Sequence, residues 1–185
     1  HNLSQLKAIN NATTGTLTLN DYGVELSGSV ADIKAALDGS FTVNYSGNVI
    51  FDDADEADIL ATDITTIDGD TTGTITIIND IDINGTSAEV AAAVVVVDSY
   101  SGTPTATLSN AHTLQELKTI NDEISGTITL NDYGVELSGS VADIKAALAG
   151  DFANSYTGAV IFDDEEDAVI LAADINTIDG DTTGT

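Results

Sequence analysis

The sequence NDYGVELSGSVADIKAAL occurs twice, at Asn20–Leu37 and again at Asn131–Leu148, and this duplicated stretch decides the fold. Around it, residues 1–74 align without a gap onto residues 112–185 at a constant offset of 111, with 52 identical pairs out of 74. We therefore divide the chain into a first long repeat, 1–111, and a second, truncated one, 112–185. Both ends of the chain then fall inside the pattern, which predicts a section of a longer array.

Two shorter periods lie inside the long one. A weaker repeat of about 55 residues divides the first long repeat into sub-repeats of about 1–58 and 59–111. Finer still, a glycine that opens a β-rich run recurs every 24 to 32 residues, so four units of about 28 residues make up one long period. These glycines are Gly15, Gly47, Gly73, Gly102, Gly126, Gly158 and Gly184.

Each unit combines a short strand with a short helix. The runs GNVIF, with Val49 and Phe51, and GTITI, with Ile75 and Ile77, are typical of strands. Apolar residues then recur at helical spacing, as in Val30–Leu37, which follows the helix-capping residue Ser29. Strands that alternate with helices predict largely parallel pairing.

The fold class that follows is an α/β repeat, a solenoid-like stack of short strands and short helices with about 28 residues per unit. A single unit buries too little surface to be stable alone, so neighbouring units must stack. We expect the glycine-opened strands to occupy equivalent places in that stack. The alternative is a string of tandem 55-residue α+β domains, each closed on itself; the near absence of proline (only Pro104) favours continuity.

The charge balance excludes several classes of partner. Acidic residues number 31 and basic residues 4, which gives a net charge of −27. The basic residues are all lysines, Lys7, Lys34, Lys118 and Lys145. This argues against nucleic acid, because phosphate binding needs many cationic side chains. The longest apolar run, Val90–Val97, is too short to span a bilayer, so we expect no membrane insertion.

No residue pattern in the chain is typical of an enzyme. The histidines His1 and His112 occupy one position in the two copies, and no phosphate-binding loop or nucleophile motif accompanies them. Cysteine is absent, which removes thiolate nucleophiles and thiolate metal sites. We expect no catalysis.

Calcium is the candidate cofactor, since acidic residues cluster where strands end and calcium prefers oxygen ligands. Asp52–Asp58 and Asp163–Ala168 follow equivalent strands. Asp80–Gly85 fits the start of an EF-hand loop, but Ala91 stands where the closing carboxylate belongs, and the alternating isoleucines indicate a strand. The alternative is a solvated acidic surface suited to salty surroundings. The candidate calcium ligands are Asp52, Asp53, Asp55, Glu56, Asp80, Asp82, Asn84, Asp163, Asp164 and Glu166.

The phrases LKTINDEISGTITLNDYGVELSGSVADIKAALAG and YTGAVIFDDEEDAVILAADINTIDGDTTGT resemble repeat arrays in very large secreted or cell-surface proteins of bacteria, cyanobacteria especially. The resemblance implies an extracellular or cell-surface location and a structural or adhesive role. The glycine-aspartate nonapeptide of RTX proteins is absent.

Together these observations predict a non-catalytic structural repeat module of an extracellular filament, surface layer or giant adhesin. The expected partner is the protein itself, through end-to-end stacking of repeats, and a surface or carbohydrate ligand is a further candidate. The alternative is a calcium-dependent adhesive or ligand-binding module.

Overall fold

A computed structural model describes residues 1–184 as an α/β fold with parallel sheets, which confirms the α/β part of the predicted fold class. Within these residues lie seven helices, α1 Leu3–Ala12, α2 Val30–Leu37, α3 Ala61–Asp70, α4 Ser87–Val94, α5 Leu114–Glu123, α6 Val141–Leu148 and α7 Ala172–Asp181. The strands are β1 Leu26–Gly28, β2 Val49–Phe51, β3 Asp58–Leu60, β4 Ile75–Ile77, β5 Asp82–Gly85, β6 Ser99–Tyr100, β7 Thr105–Leu108, β8 Ile128–Thr129, β9 Leu137–Gly139 and β10 Val160–Phe162. We call one helix together with the strands before the next helix a helix–strand unit.

Short polar side chains cap the N-termini of α1, α2, α4, α5 and α6. Ser29 precedes α2, and its hydroxyl accepts a hydrogen bond from the Asp32 amide at 3.2 Å. At α4 the capping box is complete, because Thr86 accepts from the Glu89 amide while the Glu89 carboxylate accepts from the Thr86 amide. These bonds satisfy amides that have no partner inside the helix.

None of the helices in residues 1–184 is long and apolar enough to cross a membrane.

Every strand pair in the described residues is parallel. The sheets have the orders β1-β2-β4-β6, β3-β5-β7-β8 and β9-β10, and each is open. In the first sheet, Leu26 faces Val49 and Val49 faces Ile75, so β1, β2 and β4 each contribute one buried apolar residue to the same row. The pairing of β2 with β4 crosses the predicted boundary between residues 58 and 59, and that of β7 with β8 crosses the boundary between 111 and 112.

The prediction that all glycine-opened strands occupy equivalent places in the stack is wrong, because these strands belong to different sheets. Gly47 and Gly73 precede β2 and β4 of the first sheet, whereas Gly102 and Gly126 precede β7 and β8 of the second. The cause is that the chain between α2 and α3 holds both β2 and β3, which pair with β4 and β5 of the next unit. From β2 to β7, successive strands of the chain therefore alternate between the two sheets.

A continuous apolar core joins the sheets to the helices. It runs from Leu6 in α1 to Ile178 in α7 and includes Ile64 and Ile120 at 0% exposure. Each helix packs against the next helix along the chain, from α1 to α7. The core therefore extends through all the units.

Five elements of the first long repeat have counterparts with matching bounds in the second. The bounds of α1, β1, α2, β2 and α3 recur 111 residues later in α5, β9, α6, β10 and α7. One difference lies at β3, whose counterpart 169–171 is not a strand. In the first copy β3 pairs with β5 of the following unit, and the second copy has no such strand within the described residues.

Candidate functional site: the acidic strand ends

The predicted calcium ligands lie at and beyond the ends of β2, β4 and β10 and in β5. We call this region the acidic strand ends, defined by Asp52–Glu56, Asn79–Asn84 and Asp163–Asp167. Asp52 and Asp163 follow directly on β2 and β10, as the sequence predicts, whereas Asp80 lies between β4 and β5, and Asp82 and Asn84 belong to β5.

Two of the predicted ligands accept hydrogen bonds from helix N-termini. Asp53 accepts from the first amide of α2, Val30, at 2.9 Å, and Asp164 accepts from Val141 in α6 at 3.0 Å. Asn110 serves α4 in the same way, accepting from the Ser87 amide at 2.7 Å. A carboxylate at a helix N-terminus is stabilised by the exposed amides and by the helix dipole. These side chains therefore connect the end of one strand to the helix that follows the neighbouring strand.

Asp55 and Asp80 form a second series of contacts between units. The Asp55 carboxylate accepts from the Asp80 amide at 3.2 Å, and the Asp80 carboxylate accepts from the Thr103 amide at 2.6 Å. The amide of Glu56 donates to the Asp80 carbonyl at 2.5 Å, in a left-handed backbone conformation with φ 63°. Each of these acids thus contacts the backbone of an adjacent unit.

The segment that fits the start of an EF-hand loop is a strand. Asp82 and Asn84 belong to β5, which pairs with β3 on one side and β7 on the other. Ile81 and Ile83 are buried, as their alternation predicts. Asp82 accepts from the Thr105 hydroxyl at 2.9 Å. A paired strand cannot wrap around an ion as an EF-hand loop does, so the EF-hand alternative is wrong here.

The remaining candidates are exposed. Asp52 lies at a groove of about 860 Å³ beside α1 and accepts from the Ser27 hydroxyl at 3.4 Å. Asp163 lines a shallow cavity of about 460 Å³ with Asp164 and Asp167, while Glu166 lies exposed in the same loop. In residues 1–184, no three His, Cys, Asp or Glu side chains form a group that could hold a metal ion. Calcium binding stays a prediction.

A second set of acids, which the sequence reasoning did not single out, binds the four lysines. Lys118 of α5 lies 2.8 Å from Asp143 in the first turn of α6, and Lys145 of α6 lies 2.6 Å from Asp174 in the first turn of α7. The bonds to Lys118 and Ser140 lower the pKa of Asp143 below its usual range. Lys7 and Lys34 bind Asp32 and Asp63 in the same way in the first copy. The sequence did contain a signal for these ion pairs, because each lysine lies one unit before the first-turn aspartate of the next helix.

The two histidines have different surroundings. Nε2 of His112 lies 3.0 Å from the hydroxyl of Tyr156, which itself donates to the Val135 carbonyl at 2.7 Å. His112 is buried, and desolvation lowers its pKa. His1 makes the equivalent contact with Tyr45, but it is exposed. The difference arises because residues that precede His112 in the chain cover it.

Comparison of the chain with known protein families, curated proteins and solved structures found no match. What the acidic strand ends can do therefore follows from their own geometry. That geometry joins one unit to the next through backbone amides, first-turn aspartates and lysines.

Proposed function

We propose that the chain is a non-catalytic structural repeat module of an extracellular filament, surface layer or giant adhesin, with its helix–strand units stacked as a solenoid. The observation that carries the proposal is that contacts between stacked elements recur after 111 residues with the same partners. Lys7–Asp32 recurs as Lys118–Asp143, and the bond from Val30 to Asp53 recurs as that from Val141 to Asp164.

Parallel pairing supports a continuous stack over separate domains. Hydrogen-bonded strands cross the boundaries at 58/59 and 111/112, where the tandem-domain alternative requires breaks. The glycines support the same arrangement, since a Cβ on Gly73 would come within 2.2 Å of the Gly47 carbonyl oxygen. Units that approach this closely tolerate only glycine at the contact. Closely stacked repeats of one kind are what a solenoid consists of.

The proposed stack has an extended and curved shape. Neighbouring parallel strands lie about 4.8 Å apart, whereas packed helices lie about 8–10 Å apart. The row of helices α1 to α7 is therefore longer than the row of strands, which places the helices on the outer side of the curve. Such a body grows in length with each added repeat, as a filament or a surface layer requires.

The charge distribution supports a role that depends on a hydrated protein surface more than on the binding of a ligand. All four lysines bind aspartates between helices, so the remaining acidic residues make the outer surface strongly negative. A surface of one sign keeps a protein soluble and repels non-specific partners. The resemblance to secreted and cell-surface repeat arrays supports an extracellular location.

A length series tests the solenoid. Proteins that carry one, two and four copies of residues 1–111 would be imaged by negative-stain electron microscopy. We expect curved rods whose contour length increases by a constant amount per copy. Strings of separate globules with variable angles between them would instead favour the tandem-domain alternative.

Immunogold labelling tests the location. Antibodies raised against the purified chain would be applied to thin sections of the cells that produce the protein. We expect gold particles at or beyond the cell surface. Labelling confined to the cytoplasm would contradict the extracellular role while leaving the stacking of units unaffected.

A further inference from the structure

The N-terminal side of the first unit carries apolar surface that is buried at the equivalent place in the second copy. We call this surface the N-terminal face and define it by His1, Ile9, Gly15, Leu17 and Leu19. Ile9 of α1 is 46% exposed. Its counterpart in α5 is Ile120, which is 0% exposed. The two isoleucines occupy the same position of matching helices, so the difference arises from a neighbour that only one of them has.

That neighbour is the segment Thr86–Ala111, which contains α4, β6 and β7. Helix α4 packs against α5, and β7 pairs with β8 through Ala106 opposite Ile128. The Ser87 hydroxyl also donates to the Glu116 carboxylate at 2.8 Å. At the N-terminal face, Leu17 corresponds to Ile128 and Gln5 corresponds to Glu116. Leu17 thus has an apolar side chain, and Gln5 has a hydrogen-bond acceptor, like the residues that Thr86–Ala111 contacts in the second copy.

Gly15 provides a second, independent observation. A Cβ on Gly126, its counterpart, would come within 2.5 Å of the Pro104 carbonyl oxygen. The same is true throughout the series, with 2.0 Å from Gly47 to the Val24 carbonyl oxygen and 1.9 Å from Gly158 to that of Val135. At Gly15 a Cβ would meet only the Thr13 hydroxyl oxygen at 3.5 Å, an ordinary contact. Gly15 is therefore the glycine of this series that has the space for a side chain.

The backbone amides agree with the glycine pattern. The amide of Gly126 donates to the Pro104 carbonyl at 3.1 Å. The amide of Gly15 instead donates to the Thr13 hydroxyl at 3.1 Å. On the acceptor side, the Thr127 carbonyl accepts from the Ala106 amide at 3.2 Å, and its counterpart is Thr16. The edge of the first unit thus has the groups needed to bind the backbone of another unit.

We propose that the N-terminal face is a docking surface for a repeat segment of the Thr86–Ala111 type, bound as α4 and β7 bind the second copy. This inference rests on the proposed stacking of units and names the partner for one of its ends. The partner chemistry is specific: a helix that places a serine hydroxyl over the first turn of α1, followed by a parallel strand with a carbonyl opposite Gly15.

The test uses an N-terminal extension and thiol labelling. A copy of residues 86–111 is joined to His1, as Ala111 joins His112 in the natural chain. Ile9→Cys introduces the sole cysteine, since the natural sequence has none. We expect the extension to slow alkylation of this thiol at least tenfold relative to the chain without it. Gly15→Val should leave the Tm of the natural chain unchanged, and in the extended chain it should restore fast alkylation.

Two controls make the result decisive. An extension of equal length that copies residues 61–86 should give no protection, and equal protection by both extensions would overturn the specificity for the Thr86–Ala111 type. Unchanged alkylation in the extended chain would overturn the docking surface altogether. Protection that grows with protein concentration in the chain without an extension would assign the face to a second copy instead, which also overturns the proposal.

A separate variant distinguishes failure of this inference from failure of the proposed stacking. Gly126→Val in the natural chain places a side chain between two units that already touch, so the stacking predicts a lower Tm. If Gly126→Val lowers the Tm while the extension gives no protection, the docking surface alone is wrong. If Gly126→Val is harmless, the stacking itself is wrong.

Discussion

Nε2 of His112 lies 3.0 Å from the hydroxyl oxygen of Tyr156, and both side chains are buried. Because the Tyr156 hydroxyl donates to Val135, it accepts from His112, and Nδ1 of the imidazole has no hydrogen-bond partner in the described residues. A second proton on this ring would place a charge in an apolar site. Burial accordingly lowers the pKa of His112 in the folded protein.

The histidine predicts a loss of stability on mild acidification. The unfolded chain binds the proton with the ordinary pKa of about 6.5, while the folded chain binds it only at lower pH. The unfolded state therefore holds more protons below about pH 6.5, and the free energy of unfolding falls there as the pH falls. Urea unfolding at a series of pH values would measure this fall.

The variant His112→Gln isolates the effect from the titration of the carboxylates. We expect the difference in unfolding free energy between the natural chain and His112→Gln to change between about pH 5 and pH 7.5. His1→Gln, which removes the exposed histidine at the equivalent position of the first copy, is the matched control. Parallel pH profiles for the natural chain and His112→Gln would contradict the prediction.

Substitution of two glycines with different surroundings should change the free energy of unfolding in opposite directions. Gly69 lies in α3, and a Cβ added there would meet no atom within 4 Å, so Gly69→Ala should stabilise the helix by about 0.5–1 kcal/mol. Gly158→Ala places its Cβ 1.9 Å from the Val135 carbonyl oxygen and should destabilise by about 1–3 kcal/mol. Urea unfolding of both variants measures the two changes. Equal effects would mean that the units do not approach each other as closely as described.

The salt response predicts how the acidic strand ends behave. With a net charge of −27, self-repulsion should lower the Tm at low ionic strength. Since Asp53, Asp80 and Asp164 already accept backbone hydrogen bonds, we expect sodium and calcium chloride to raise the Tm equally at equal ionic strength. Asp163→Asn serves as the matched variant, because it removes an exposed carboxylate of the loop with the shallow cavity. A rise in Tm at calcium concentrations far below the sodium requirement, lost in Asp163→Asn, would instead establish the predicted calcium site.

The sequence was sufficient to predict the helices and strands, but not which strands lie next to each other in a sheet. The spacing of Val30, Ile33 and Leu37 predicted α2, and the run around Val49 predicted β2, because helical and strand periodicities are local properties. The same glycine-and-apolar pattern opens β4 and β7, yet these strands lie in different sheets. β4 is the first strand after α3, whereas β7 follows another strand, β6, after α4. The glycine-and-apolar pattern does not contain the position of a strand within its unit.

At the candidate site too, the sequence predicted local positions but not the partners in space. The position of the acids at strand ends followed from the sequence, since polar pairs come directly after the apolar runs. Their partners did not, because the bond from Val30 to Asp53 and that from Lys118 to Asp143 join residues that are 23 and 25 apart in the chain. The burial of His112 and the exposure of His1 likewise depend on the preceding unit, although their local sequences are similar.

The most direct test of the proposed stacked arrangement is a series of distances measured along the row of helices. The second residue of every helix is exposed, and the chain has no cysteine, so pairs of spin labels can be placed at matched positions. The positions are Ser4, Ala31, Thr62, Ala88, Gln115, Ala142 and Ala173. Pulsed electron paramagnetic resonance would measure the distances from Ser4 to Thr62, Gln115 and Ala173. We predict that they increase in that order by roughly 18 Å per two helices, reduced somewhat by curvature. A distance from Ser4 to Ala173 no longer than that from Ser4 to Gln115 would contradict the solenoid.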